Sequence, residues 1–289
     1  MRWRKGRRSS NVEDRRGAPM ARGGMKVGGG MIILALVASF LLGQNPIEVL
    51  NNMGGIGALQ SPSTPATPRK SSPEDQAVAD FLSVVLADTE DTWGNIFKQA
   101  GARYRPPKLV LYSDMVRSAC GMNSAASGPF YCPGDEKVYF ELGFLNELQR
   151  FGAHGDFAVA YVIAHEIGHH VQNLIGTSNK VRAMQARASQ RNVNALSVLL
   201  ELQADCYAGV WARNAHKQRQ ILEQGDIEEG LGAAASVGDD RLMRAAGRRA
   251  HPDAFTHGSA KQRTKWFRTG LESGDIKSCD TFGEAGVRL

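Results

Sequence analysis

The sequence predicts an α+β domain dominated by helix, with a small sheet, preceded by a single N-terminal transmembrane helix. Three observations carry this. Long stretches of the second half are dense in Ala, Leu, Gln and Arg at helical spacing. Only two short runs, "PKLVLYS" at 107–113 and "EKVYFEL" at 136–142, read as strands bounded by turn residues. Seventeen uncharged residues, "VGGGMIILALVASFLLG", occupy 27–43. There is no internal repeat, and 289 residues hold one sizeable domain plus extensions.

The formal net charge is +6, and its location decides what it means. Residues 1–26 hold nine Lys and Arg against Glu13 and Asp14, a net +7 that leaves the rest of the chain near −1. A neutral body excludes a nucleic-acid-binding domain as the source of the basicity. Positive flanks stay in the cytoplasm, and no Lys or Arg follows the apolar run before Arg69. The expectation is a basic cytoplasmic tail over 1–26, a single-pass inner-membrane anchor over 27–43, and a domain beyond it that is periplasmic or extracellular. A buried core helix and a long signal-peptide core are the competing readings of the run. The long basic region before it and the lack of a clean small-x-small site favour an uncleaved anchor.

Residues 44–72 contain Pro46, Pro62, Pro65 and Pro68 among small residues, and read as a flexible tether. The domain proper is expected over 73–289. Ser72 as N-cap, Pro73 at the first position and Asp75 in the first turn open a helix that carries Val78, Phe81, Leu82, Val85 and Leu86 on one side. In the second strand run, Val138 and Phe140 alternate with Tyr139 and Glu141 as a half-buried strand should, either as ordinary sheet or as an edge strand able to pair with an extended peptide. Gly155 and Asp156 open a second helix and Gly176 closes it, and a broken helical region runs from about Val181 to Leu222.

The four cysteines fit export. Cys120 and Cys132 bracket the loop "CGMNSAASGPFYC", which a disulfide could close in an oxidising compartment. Of the three possible connectivities, 120 with 132 and 206 with 279 is preferred. Buried thiols are the alternative, particularly for Cys206 inside an apolar helix.

The stretch "AYVIAHEIGHHVQNLIG" at 160–176 places His165, Glu166, His169 and His170 in the middle of an apolar helix. Polar groups taken out of water need partners, and a metal ion would supply one. Residues four apart on a helix are rotated by only about 40° and rise about 6 Å, so His165 and His169 point the same way and can reach one ion. Glu166 projects beside the ion, where a carboxylate can hold and deprotonate a water. A catalytic zinc needs a third protein ligand and an open fourth position. "ELQADCYAGVW" offers Glu201 as that ligand, with Asp205 four residues on placed to accept a hydrogen bond from a ligand imidazole. Asp205 or His257 as the third ligand is the competing assignment. His170, about 100° round the helix from His169, is expected as a hydrogen-bonded or surface imidazole. His154, His216 and His251 have no constellation and are expected to face solvent. In "FTHGSAKQR", His257 or Arg263 could stabilise an oxyanion, while Gly258 and Ser259 equally suit a capped helix start.

The runs "AYVIAHEIGHHVQN" and "ELQADCYAGVW", with "FYCPGDEKVYFELGFLNEL" and "FTHGSAKQR", resemble the putative neutral zinc metallopeptidases of bacteria, a gluzincin-like group with HExxH followed by ExxxD. The likeness covers about residues 73–284. It implies a zincin-like, membrane-anchored domain outside the cytoplasm, with Zn2+ held by His165, His169 and Glu201. The expected function is a zinc-dependent endopeptidase that hydrolyses peptide bonds of envelope or secreted proteins through a zinc-activated water, with Glu166 and His257 as catalytic residues. The alternative is a non-catalytic, zinc-stabilised module that binds an envelope protein. Glu166 separates the two, because a structural zinc has no use for an acid between two ligand histidines and is closed by four protein ligands.

Overall fold

The computed structural model describes residues 1–17, 72–124 and 128–289. The anchor expected at 27–43, and the tether at 44–72 except for Ser72, lie outside the described residues. Among the described residues no helix is long and apolar enough to cross a membrane.

The first helix, α1 (Pro73–Gln99), begins as the sequence predicts. The Ser72 hydroxyl accepts from the Asp75 N–H while the Asp75 carboxylate accepts from the Ser72 N–H, so two of the donors that a helix start leaves orphaned are satisfied. Its inner face buries Leu82, Val85, Leu86 and Trp93. The predicted strands form as β2 (Lys108–Tyr112) and β6 (Lys137–Glu141), paired in parallel. A third strand, β5 (Phe130–Cys132), lies antiparallel on the far side of β6. The half-buried pattern expected of 137–141 is not what forms. Val138 and Phe140 face the main core together with Leu109 and Leu111, while Val110, Tyr112 and Tyr139 pack on the opposite face with Val116 and Cys132. That second face is covered by a ribbon, β3 (Met115–Ser118) with β4 (Gly121–Ser124), which the Cys120–Cys132 disulfide ties to β5. β6 lies between β2 and β5, so 137–141 is an interior strand and ordinary sheet, and β5 is the edge on that side.

The largest departure from the sequence reading concerns the expected tail. Residues 12–14 form β1 (Val12–Asp14), which extends the sheet by pairing in parallel with β2, giving the order β1-β2-β6-β5. The preceding residues run along α1. Trp3 meets Phe81 edge-on with ring centroids 5.1 Å apart, the Ser9 N–H donates to the Ser83 carbonyl, and Arg7 reaches Glu90 and Asp91. Glu13 bridges Lys108 and Lys137 on the two neighbouring strands. Burial pushes its carboxyl up, but Lys137, Arg15 and Lys108 outweigh that and hold it at about 2. Residues 1–16 therefore belong to the same compact unit as residues 71–289. The basic tail is in this part a strand and its lead-in, and many of its charges are answered by acids of the domain. Strands of one sheet share one aqueous compartment. A cytoplasmic tail with the domain on the other side of the membrane, as a single crossing by 27–43 requires, does not go with this sheet.

The remaining chain is helical: α2 (Phe144–Arg150), α3 (Asp156–Leu174), α4 (Thr177–Gln185), α5 (Gln190–Arg219), α6 (Asp226–Ser236), α7 (Asp239–Ala245), α8 (Ala260–Ser273) and α9 (Thr281–Glu284). The break in the long helical region falls between α4 and α5. The second preferred disulfide, Cys206–Cys279, joins α5 to the short 3₁₀ turn Ile276–Cys279.

Candidate metal centre

The backbones of α3 and α5 touch at Gly168. A Cβ there would stand 2.9 Å from the Ala204 carbonyl oxygen and 3.0 Å from its Cα, so only glycine lets the two helices approach this closely. The approach brings Glu201, one turn before Ala204, opposite His165 and His169. Glu201 Oε2 lies 3.1 Å from His165 Nε2, and Oε1 lies 3.3 Å from His169 Nε2. One ligand atom from each of these three residues falls within 4.8 Å of the others, and no fourth His, Cys, Asp or Glu joins them among the described residues.

Both imidazoles present Nε2 because Nδ1 is engaged elsewhere. His165 Nδ1 donates to Asp205 Oδ1 at 2.8 Å, and His169 Nδ1 donates to Gln172 Oε1 at 2.9 Å. Asp205 is fully buried and also accepts from Tyr161 Oη at 2.5 Å, Arg263 Nε at 2.8 Å and Arg263 Nη2 at 2.9 Å. Burial pulls the His165 imidazole down, yet Asp205 and Glu201 raise it to about 10, and Glu201 raises His169 against the same opposition. The Glu201 carboxyl is held well below the usual carboxylate range despite its burial, mainly by His169 and His165. Two nitrogens and a carboxylate converging on one point, with the outer nitrogens anchored, is a donor set that zinc accepts.

Glu166 sits beside this cluster and is 8% exposed. Burial raises its carboxyl, partly countered by His165, His169 and the Tyr131 backbone N–H. An acid raised in this way is better matched to taking up a proton near neutral pH. His170 points elsewhere. Its Nε2 donates to the Arg105 carbonyl at 2.6 Å and its Nδ1 accepts from the Tyr131 hydroxyl at 3.0 Å, as a hydrogen-bonded imidazole should.

A cleft of about 510 Å³ opens over the cluster, with Phe130, Tyr131, Phe144 and Val162 along its apolar wall. His257 lines it, half-exposed, and its Nδ1 faces Asp239 Oδ1 at 3.2 Å, leaving Nε2 available to a ligand. The loop that presents His257 is fastened by Asp239, whose Oδ2 accepts the backbone N–H groups of Thr256, His257 and Gly258. Ser259 does cap α8, with Gln262 completing the capping box, so the capped start and the cleft-facing histidine coexist. Arg263 is 3% exposed and committed to Asp205, so it supports the cluster from behind rather than serving an oxyanion. His154 and His251 are exposed as expected. His216 is half-buried instead, because its Nδ1 accepts the Leu222 N–H where α5 ends.

Gln172, Asp239 and Tyr131 were not marked as site residues by the sequence. Gln172 stands three residues after His169, at a spacing that shares a helix face, and this was the one local signal on offer. Asp239 and Tyr131 reach the site only through tertiary structure.

A family model described as "Putative neutral zinc metallopeptidase" matches residues 1–282. The chain is 47% identical over 293 residues to the uncharacterized protein YpfJ of Escherichia coli K12, covering 99% of this chain and 100% of that protein. It is 40% identical over 218 residues to the uncharacterized proteins Mb2605 of Mycobacterium bovis and Rv2575 of Mycobacterium tuberculosis, covering 72% of this chain and 73% of each. No solved structure matches.

Proposed function

The chain belongs to the family of putative neutral zinc metallopeptidases, and from that premise we propose that it is a zinc-dependent endopeptidase acting on envelope or secreted proteins. His165, His169 and Glu201 would hold the ion. The observation that carries the reading is Glu166, a buried acid beside a three-ligand cluster that no fourth His, Cys, Asp or Glu closes among the described residues. Zinc, when bound, supplies Lewis acidity to the scissile carbonyl and makes water more acidic. Glu166 takes a proton from the water as its oxygen adds to the carbonyl carbon, and then hands that proton to the amine nitrogen as the peptide C–N bond breaks. Asp239 raises the His257 imidazole, and in its protonated form the Nε2–H donates to the oxygen on which negative charge develops. Among the described residues β5 pairs only with β6, and its Phe130 and Tyr131 line the cleft. An extended peptide can add to that free edge through main-chain hydrogen bonds that ignore side-chain identity.

Incubating the zinc-loaded protein with a peptide library and reading products by mass spectrometry tests the activity. Cleavage that a chelator abolishes and zinc restores is expected. No cleavage by a zinc-loaded, folded protein would instead favour the non-catalytic interaction module. Glu201→Ala is expected to abolish tight zinc binding, since two imidazoles alone leave the ion one protein ligand short. Metal analysis after dialysis checks this, and a full equivalent of retained zinc would remove Glu201 from the ligand set.

The two disulfides support an extracytoplasmic domain, because such bonds persist in oxidising compartments. Trapping thiols in growing cells before extraction is expected to find none of the four cysteines modified. Four alkylated cysteines would place the domain in a reducing compartment.

A further inference from the structure

The two ligand histidines are held by unlike partners. His165 donates to a carboxylate, whose oxygens can only accept, so its tautomer needs no further device. His169 donates to a carboxamide, which can offer either an oxygen or an NH2 group, and the wrong face would reverse the tautomer. With the NH2 group turned toward Nδ1, that nitrogen would accept and Nε2 would carry the proton, closing the atom a metal requires.

What holds the amide the right way round is visible in the packing. Gln172 is fully buried, and its Nε2 donates to the Leu200 carbonyl at 2.8 Å and to Gln203 Oε1 at 3.1 Å. Both N–H groups are spent on acceptors, which leaves Oε1 for His169. Gln203 could turn too, but its own Nε2 donates to the Cys279 carbonyl at 3.0 Å. The chain of amides thus ends on main-chain carbonyls, which cannot rotate as side chains do. Cys279 is fixed over α5 by its disulfide to Cys206, the residue after Asp205. We propose that Gln172 and Gln203 are positioning residues that lock His169 in its metal-binding tautomer, with the Cys206–Cys279 disulfide as the anchor of the chain. This rests on the zinc site proposed above and adds a specific dependence to it: a bond joining α5 to the C-terminal turn helps to set the affinity of a ligand on α3.

The test is zinc affinity, measured on the full chain by competition with a chelating indicator, together with the NMR resonances of exchangeable imidazole N–H protons in the Co2+ form. Gln172→Met is expected to weaken binding roughly 10- to 100-fold, the usual cost of losing such an outer partner, and to remove the His169 N–H resonance by faster solvent exchange. Gln172→Glu keeps an acceptor for His169 Nδ1 and is expected to retain the His169 N–H resonance that Gln172→Met loses, at a cost in stability because its second oxygen faces the Leu200 carbonyl and Gln203 Oε1. Gln203→Leu and the pair Cys206→Ala/Cys279→Ala are each expected to weaken binding, and all three changes together to cost no more than the larger single effect, since they act through one chain. Unchanged affinity and an unchanged His169 resonance in Gln172→Met would overturn the proposal while leaving the zinc site standing. Were that variant unfolded by circular dichroism, the same result in Gln203→Leu would overturn it. A wild type that binds no zinc would instead remove the zinc site, and this proposal with it.

Discussion

Glu166→Gln is expected to keep the fold and the zinc and to lower kcat by roughly 10²- to 10⁴-fold, the typical contribution of a positioned general base. The substitution is nearly isosteric, so it leaves the close contact at Gly168 and the Glu201 cluster untouched. What it removes is the proton acceptor. A carboxylate raised by burial can take a proton from water near neutral pH and release it to the amine, and a carboxamide does neither. The comparison needs a substrate that the wild type cuts and a metal analysis showing equal zinc in both proteins. Equal rates would exclude Glu166 as the base, whereas lost zinc would mean that its carboxylate helps to hold the ion.

The second large effect is expected at Asp205. Asp205→Ala leaves the Arg263 guanidinium, 3% exposed, without its hydrogen-bonded counter-charge and with only Glu201 at 4.0 Å, and breaking a buried pair by removing one member costs roughly 3–5 kcal/mol. That is a large share of the roughly 5–15 kcal/mol by which domains are stable. The same change frees His165 Nδ1, so zinc affinity is expected to fall as well. The two consequences separate in the double variant Asp205→Ala/Arg263→Met. Removing the stranded charge should recover much of the stability, yet His165 still lacks its acceptor and zinc should stay weakly bound. Urea unfolding of the zinc-free protein measures the first and chelator competition the second. A loss below about 1 kcal/mol in the single variant, the scale of an exposed pair, would mean that the cluster is open to water.

The features legible in the sequence are those written in helical spacing. His165, Glu166, His169, Glu201 and Asp205 lie at offsets of one and four on two helices, and local geometry is enough to predict their directions. That the two helices meet with these faces together depends on Gly168 against Ala204, a contact between residues 36 positions apart. Arg263 was expected, as an alternative to His257, to stabilise an oxyanion. Its commitment to Asp205 follows from the packing of α8 on α5, which no spacing records. Gln172 and Gln203 lay within the stretches that attracted attention, but an amide is a common helix residue and its chemistry appears only when its partners do. The strand β1 escaped for another reason. Three residues, two of them acidic, show no alternation, and Glu13 and Asp14 become acceptable in a sheet only beside Lys108, Lys137 and Arg16.

The position of β1 makes the outermost strand of the sheet a detachable part. It is linked to its neighbour in the sheet through residues 15–107, and a single cut anywhere between 17 and 71 would turn residues 1–16 into a peptide ligand of the remaining domain. Pairing with β2, the contact of Trp3 with Phe81 and the ion pairs to α1 would then have to supply an affinity, where before they completed an intramolecular docking. Association of separate molecules costs about 4–15 kcal/mol in lost translational and rotational freedom, so dilution alone would come to govern whether the strand stays. Once it leaves, β2 presents unpaired main-chain groups at a sheet edge, a template that strands of other molecules can join. Nicking this protein would therefore convert an intramolecular contact into a concentration-dependent exchange, with strand capture and aggregation as its outcomes.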